Sequence, residues 1–328
     1  MPNKILEVKG LYKWFPILGG VLKREVARVH AVNGVSFEVY EGETLGVVGE
    51  SGCGKSTVGR TLLRLYDADD GEVFFNGENL ASLTKSELRD VRKDIQMIFQ
   101  DPYESLNSRM TVRQIIREPF DIHNVGDRHF RESEVLRLLK RVGLPESAAD
   151  KFPHEFSGGQ RQRIGIARAI ALKPKVVICD EPVSALDVSI QSQVVNLLLE
   201  LQEELGLSLV FIAHDLAVVR HVSDRVAVMY LGEIVEYTDA DSIYENPLHP
   251  YTQALISAIP EVEPDESKSR IVLEGEVPSP ITPPPGCKFN PRCKFATEIC
   301  VSKKPEYRAV PDKHEHYVAC HHVENFLN

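Results

Sequence analysis

The chain has 328 residues, 43% of them hydrophobic, enough for a sizeable core and for one large domain with an appendage or two domains. A net charge of −10 argues against general nucleic-acid binding, and no apolar run approaches the roughly 20 residues that span a bilayer. The start Met1-Pro-Asn-Lys-Ile5 lacks the apolar core of a signal peptide, so a cytosolic protein with few structural disulfides is expected, and its six cysteines need another role.

Ile5 to Val8 and Val29 to Val39 read as strands of a small antiparallel sheet, joined by a loop rich in aromatic and glycine residues, with Asn33-Gly34 as a turn or bulge. Thr44 to Val48 reads as a buried strand and Val58 to Leu65 as a helix. Between them lies Gly49-Glu50-Ser51-Gly52-Cys53-Gly54-Lys55-Ser56-Thr57, which fits the phosphate-binding pattern G-x-x-x-x-G-K-[ST]. Gly49, Gly52 and Gly54 let several backbone N–H groups point at one anion. Lys55 is suited to the β- and γ-phosphates, and Ser56, with Thr57 beside it, to Mg²⁺. The strand before and helix after speak against a chance glycine turn.

Glu72 to Phe75 runs into a hairpin turn at Asn76-Gly77, and Ile95 to Phe99 is a short buried strand. From about Thr111 to Leu172 the pattern turns helical, with helices over Glu134 to Val142 and Arg161 to Leu172. Strands and helices then alternate: Val176 to Cys179, a helix from Val188 to Leu205, Leu209 to Ala213, a helix near Leu216 to His221, and Val226 to Tyr230. That alternation indicates a parallel sheet with crossover helices. Glu261 to Gly286 reads as a stiff, Pro-rich and acidic connector, followed by a cysteine cluster.

Val176-Val-Ile-Cys-Asp180 is an apolar strand ending in a carboxylate, the Walker B arrangement that sets Asp180 beside Mg²⁺. Glu181 follows it and suits the general base that takes a proton from attacking water. Phe156-Ser157-Gly158-Gly159-Gln160 opens a helix with a serine cap and two glycines that allow close approach to a phosphate. A second such helix start is redundant within one chain, but makes sense if two chains sandwich ATP head to tail.

These motifs resemble the ATP-binding cassette (ABC) ATPases. The chain carries the family's other elements in order: Gln100 in Phe99-Gln100-Asp101-Pro102, Ser184-Ala-Leu-Asp187, and His214 in Ala213-His214-Asp215. The resemblance implies that Gln100 meets Mg²⁺ and water, Asp187 shapes the dimer interface and His214 senses the γ-phosphate. It puts Phe15 where the adenine-stacking aromatic belongs, with Trp14 the nearest rival. It also implies an α/β P-loop NTPase fold: a RecA-like parallel sheet core, an antiparallel β subdomain, an α-helical subdomain, and a small irregular Cys-rich C-terminal region. The expected division is an ATPase domain over 1–259 (helical subdomain about 105–172), a connector over 260–286 and a Cys-rich tail over 287–328.

Pro153-His-Glu-Phe-Ser-Gly-Gly-Gln-Arg-Gln-Arg163, Phe211-Ile-Ala-His-Asp-Leu216, Glu245-Asn-Pro-Leu-His-Pro-Tyr-Thr-Gln253 and the tail from Pro278 to Cys293 resemble the oligopeptide/dipeptide importer branch, its F-type ATP-binding subunit best of all. The likeness runs from about Ile5 to Cys320. It implies ATP hydrolysis powering peptide uptake from the cytoplasmic face of the membrane. The partners it implies are a D-type ATP-binding subunit, two membrane permease subunits and an extracytoplasmic peptide-binding protein, with no nucleic acid. Nickel importers of the same branch share much of the pattern. A soluble ABC ATPase fits less well, since there is one cassette, no long heptad insertion and no basic patch.

Cys287, Cys293, Cys300 and Cys320 suggest one metal centre. Their gaps are wider than the usual zinc pairs and suit a [4Fe-4S] cluster, which the resemblance to related importer subunits also implies. Zinc, with His314, His316, His321 or His322, and free thiols stay open; the histidines otherwise read as solvated tail residues. A redox-sensing role for the tail is a further alternative. Cys179 reads as a small buried apolar residue, and Cys53 as a loop position whose backbone rather than thiol matters, with sensitivity of the ATPase to alkylation as the alternative.

Overall fold

The structure is a computed structural model and describes residues 3–21, 23–259, 270–311, 313 and 315–327. In chain order its elements are strands β1 (Lys4–Gly19), β2 (Arg24–Tyr40) and β3 (Thr44–Val48), helix α1 (Lys55–Leu62), β4 (Asp70–Phe75), β5 (Glu78–Asn79), α2 (Lys85–Val91), β6 (Ile95–Ile98), α3 (Pro102–Ser105), α4 (Val112–Ile122), α5 (Arg128–Arg141), α6 (Gly158–Ala169), β7 (Val176–Asp180) and α7 (Val188–Leu205). Then come β8 (Ser208–Ala213), α8 (Leu216–Val222), β9 (Arg225–Tyr230), β10 (Glu233–Asp239), α9 (Ala240–Glu245), α10 (Pro250–Ser257), α11 (Glu298–Ser302), β11 (Arg308–Ala309) and β12 (Tyr317–Val318). They divide between two compact units, one of Met1–Ile5, Val39–Glu43 and Ser82–Ile212, the other of Leu6–Glu38, Thr44–Ala81 and Ala213–Asn328.

In the first unit β6 pairs with β7 and β7 with β8, all parallel. Every residue of β7 and β8 is buried, as a parallel strand covered on both faces requires. The helical part packs α4 against α5 and α6. Thr111 begins α4 with a reciprocal cap, its hydroxyl accepting from Gln114 N while the Gln114 side chain accepts from Thr111 N. Val112, Ile115, Ile116 and Phe120 form its buried stripe. α5 begins at Arg128, six residues before the expected Glu134, because Asp127 caps it by accepting from Phe130 N. α6 begins at Gly158 rather than Arg161, so the serine and glycines belong to the helix start itself.

In the second unit an antiparallel sheet runs in the order β2-β1-β4-β5. The expected aromatic and glycine-rich loop before β2 is not a loop. Strand β1 continues to Gly19 and β2 starts at Arg24, so the two make one long hairpin. Tyr12, Trp14, Phe15, Val26 and Val29 are aromatic or β-branched residues that favour strands, and pairing of β1 with β2 outweighs the scattered Gly and Pro. Asn76 and Gly77, both at positive φ (48° and 80°), form the tight β4–β5 turn.

The same unit pairs β3 with β9 in parallel and adds β10 and β12 antiparallel. β12 belongs to the Cys-rich tail, so the tail extends this sheet through Glu236↔Val318 and Tyr237↔Tyr317. It has a small core of its own, with Val310, Val318 and Val323 closing on Leu248. Of the expected connector, 260–269 lie outside the described residues. The remainder is irregular and tied down at two points, Ile271 N to Ser257 Oγ (2.9 Å) and His30 N to Pro280 O (3.0 Å).

Candidate functional site

The loop Gly49–Thr57 is shaped by its own unit. A Cβ at Gly49 would lie 2.2 Å from Met229 O, and one at Gly54 2.1 Å from Ala31 O, so no side chain fits at either position. Gly54, at φ 106°, leads directly into α1, and no side chain caps that helix. A helix N-terminus of this kind is the arrangement that favours an anion. Lys55 is buried, its Nζ donating to Gly49 O (2.8 Å) and Glu50 O (3.2 Å).

Cys53 is also buried, and burial pushes its thiol up from its ordinary value. A thiol held protonated and covered is a poor target for alkylation, which goes against the sensitivity left as the alternative reading of the sequence. Glu50 is gripped from outside the motif. Its backbone N donates to Tyr251 Oη (2.9 Å), and both its carboxylate oxygens take the Arg292 fork (2.6 and 3.1 Å). Sequence reasoning missed both partners. They lie in segments that marked the importer branch and gave no sign of touching the phosphate loop.

Further along this unit, Phe15 meets Tyr66 edge-on, with centroids 5.2 Å apart, and Lys13 Nζ lies 5.4 Å from its ring. Trp14 projects from the other face of β1 and donates Nε1 to Asn33 Oδ1 (3.3 Å). His214 is exposed in the turn before α8, where Asp215 caps the helix by accepting from Ala217 N (2.8 Å) and Val218 N (3.4 Å).

In the first unit Asp180 ends β7 fully buried. Glu181 follows at φ 45°, a left-handed conformation that costs a non-glycine residue of order 1–3 kcal/mol. Its backbone N donates to Ile212 O (2.9 Å), and its Oε2 accepts from Gln100 Nε2 (2.9 Å). The carboxylate is thus aimed by the very glutamine singled out in the sequence. Cys179 is fully buried with its thiol pushed up to about 12, an inert core residue as expected.

Ser157 Oγ accepts from Gln160 N (3.4 Å) and Gln160 Oε1 from Ser157 N (3.0 Å), a reciprocal cap on α6. Ser157 and Gln160 are exposed. The glycines have a packing reason within the chain, since a Cβ at Gly159 would lie 2.4 Å from Ile190 Cγ2 and one at Gly158 3.3 Å from Leu186 Cδ2. Asp187 is exposed at the head of α7, and its side chain does not cap that helix.

In the tail, Cys287 N donates to Cys300 O (2.8 Å), and Gly286 permits it, because a Cβ there would meet Cys300 O at 2.4 Å. Cys320 lies within electrostatic reach of Cys287, Cys293 and Cys300, and burial pushes its thiol up to about 12. None of the four is in a disulfide. Among the described residues, no group of three or more His, Cys, Asp or Glu side chains could hold a metal ion. The histidines offered for zinc are otherwise engaged: His316 is buried with Nε2 on Glu236 Oε1 (2.8 Å), and His321 Nε2 meets Lys303 O (2.8 Å). His322 Nε2 lies 2.9 Å from Thr297 Oγ1, and His314 is outside the described residues. His322 Nε2 also lies 3.5 Å from Cys300 Sγ.

Among the described residues no helix is long and apolar enough to cross a membrane. Family models match at residues 32–184 (ABC transporter) and 235–300 (oligopeptide/dipeptide transporter, C-terminal region). The chain is 56% identical to the oligopeptide transport ATP-binding protein AppF of Bacillus subtilis, covering 97% of each chain. It is 53% identical to OppF of Escherichia coli (97% of this chain, 93% of that) and 48% identical to the di/tripeptide transport protein DppF of Pseudomonas aeruginosa (98% and 99%). Among solved structures, the dimeric ATP-binding cassette MJ0796 with ADP and Pi matches at a TM-score of 0.64 and 29% identity, over 72% of this chain and 99% of that one.

Proposed function

This chain belongs to the ABC transporter ATPases, in their oligopeptide/dipeptide branch, and from that premise we propose that it is the ATP-hydrolysing subunit that powers uptake of di- and oligopeptides. We read the fold, an α/β P-loop NTPase, as one ATPase domain over 1–259, a connector over 260–286 and a Cys-rich tail over 287–328. The observation that carries the reading is the loop Gly49–Thr57, where Gly49 and Gly54 admit no side chain and the buried lysine is held against the loop's own carbonyls.

In this reading the loop Gly49–Thr57 and its Lys55 bind the phosphates, and Phe15, with Trp14 as rival, stacks on adenine. Ser56, Gln100 and Asp180 supply hard oxygen donors suited to Mg²⁺, which when bound neutralises phosphate charge. Glu181 Oε2, aimed by Gln100, receives the proton of the attacking water. His214 senses the γ-phosphate. Ser157, Gly158, Gly159 and Gln160 act on the nucleotide of a second cassette, a D-type subunit, and Asp187 lines that interface. The assembly sits on two permease subunits at the cytoplasmic face, fed by an extracytoplasmic peptide-binding protein. The four thiols hold a [4Fe-4S] cluster that staples the tail.

Reconstitution with the permeases, second cassette and binding protein in vesicles tests this directly. ATP-driven uptake of labelled di- or oligopeptide is expected. Uptake of nickel in its place, or ATPase activity without any uptake, overturns the transport reading. Iron and sulfide content of anaerobically purified chain, against a Cys293→Ser variant, tests the cluster; absence of both elements from the unmodified chain rules it out.

A further inference from the structure

The Cys-rich tail reaches the phosphate loop through one side chain. Arg292 donates Nη1 to Glu50 Oε2 (2.6 Å) and Nη2 to Glu50 Oε1 (3.1 Å), a two-pronged pair whose guanidinium is only 6% exposed. Such forked, largely buried pairs are the strong and directional kind. The Glu50 carboxylate accordingly holds Arg292 well above its ordinary value.

Glu50 is the second residue of the phosphate loop, and every polar group it carries is engaged. Its N–H goes to Tyr251 Oη, its carbonyl accepts from Lys55 Nζ (3.2 Å) and Cys53 N (3.3 Å), and its carboxylate takes Arg292. The surrounding aromatic wall is shared with the tail. Phe289, buried, meets Tyr251 at 5.4 Å and Tyr230 at 5.3 Å between centroids. The turn from Cys287 to Arg292 is closed by Asn290 N to Cys287 O (2.9 Å) and Arg292 N to Phe289 O (3.0 Å). The position of the guanidinium therefore depends on the fold of the cysteine loop.

A carboxylate inside a phosphate cradle is an electrostatic oddity, because it repels the polyanion the loop must take. The Arg292 fork answers that objection by neutralising and holding the carboxylate.

We propose that Arg292 is a positioning residue for nucleotide binding, which neutralises and orients Glu50 and so makes the phosphate loop's affinity depend on an intact Cys-rich tail. This rests on the reading of Gly49–Thr57 as the triphosphate site. An Arg292→Met chain then carries an unshielded carboxylate beside the phosphates.

The test is ATP binding by the full-length chain, measured by calorimetry, with steady-state KM and kcat in the assembled transporter and amide exchange over residues 49–54. Arg292→Met should weaken ATP binding roughly tenfold, about 1.4 kcal/mol, and raise KM alike with kcat little changed. Exchange over 49–54 should quicken. Arg292→Lys, which keeps the charge without the fork, should fall between. Glu50→Gln removes the charge that needs neutralising, so adding Arg292→Met in that background should cost far less affinity than the tenfold lost in Arg292→Met alone. A merely structural arginine would show the same loss in both backgrounds, and that result, or unchanged binding in Arg292→Met, overturns the proposal. If Arg292→Met fails to fold, Arg292→Lys with and without Glu50→Gln decides by the same comparison. Lys55→Ala serves as the control for the site. If the unmodified chain binds no ATP, the triphosphate reading itself falls.

Discussion

Helix α1 starts from a left-handed glycine with no side chain closing its first turn, whereas α6 starts from a serine whose oxygen closes it. The loop before α1 is built from all sides by its own unit: Met229 O and Ala31 O leave no room beside its glycines, and Tyr251 and Arg292 hold Glu50. It is a closely fitted loop at an uncapped helix start. The start of α6 is stable by itself. Its glycines are explained by Ile190 and Leu186, Gln160 N is already satisfied, and its polar end is exposed. One helix start carries no side-chain cap, whereas the other is closed by its own serine and glutamine at an exposed surface. Glycine beside a helix N-terminus therefore does not by itself distinguish a binding loop from a docking face; the neighbours of the missing Cβ do.

The largest effects belong to the finished cradle and to the aimed carboxylate. Lys55→Ala should abolish ATP binding by the isolated chain and cut ATPase activity by a factor on the order of 10²–10³, the scale of losing a donor at developing negative charge. Glu181→Gln should cut ATPase about as deeply, within the roughly 10²–10⁴ range of a general base, while leaving ATP binding intact. Equilibrium binding beside single-turnover hydrolysis separates them. A Glu181→Gln chain that hydrolyses ATP at the normal rate would remove that residue from the chemistry.

A smaller effect probes what supports the cradle. His249 is fully buried, its Nδ1 accepts from Tyr251 N (3.1 Å), and its own N donates to Glu236 Oε2 (2.9 Å). Burial, opposed by Glu236, pushes its imidazole down from 6.5 to about 4. The unfolded chain therefore binds the extra proton first. Stability from this group is fully present above a pH of about 6.5 and is lost as pH falls toward about 4. At about 1.4 kcal/mol per pH unit the loss reaches about 3 kcal/mol. Thermal unfolding across that window should show it. His249→Asn, which keeps an acceptor for Tyr251 N but does not titrate, should flatten the profile while lowering the plateau. An equally steep profile in the variant would assign the acid sensitivity elsewhere.

The cradle was far more legible in the sequence than its supports. Gly49, Gly54 and Lys55 announce themselves because a short backbone motif does all the geometry. The same holds for Asp180 and Glu181, which end an unbroken apolar strand. The support by Tyr251 and Arg292 was invisible because each acts across some 200 residues of chain, and neither belongs to a local pattern that says what it touches. The β1–β2 hairpin was misread for the opposite reason, since Gly10, Pro16 and Gly19 are local loop signals that strand pairing overrides. His316 looked like a solvated tail residue because no spacing rule reports that Glu236, 80 residues away, waits for it in the core.

The mildest change tests the contrast between the two helix starts most directly. Ser157→Ala removes the oxygen that accepts from Gln160 N, so it should cost about 1 kcal/mol of stability, the usual worth of a serine cap, seen as a small fall in thermal midpoint. The serine's hydrogen bond is confined to the start of α6, so the isolated chain should bind ATP as before. In the assembled transporter it should slow hydrolysis at the nucleotide held by the partner cassette's own phosphate loop, while Lys55→Ala in this chain silences the other nucleotide. Pairing each variant with a second cassette disabled at its own phosphate-loop lysine tells the two sites apart. If Ser157→Ala instead weakens ATP binding by the isolated chain, the serine acts within its own cassette, and the division between a self-sufficient cradle and an outward-facing helix end collapses.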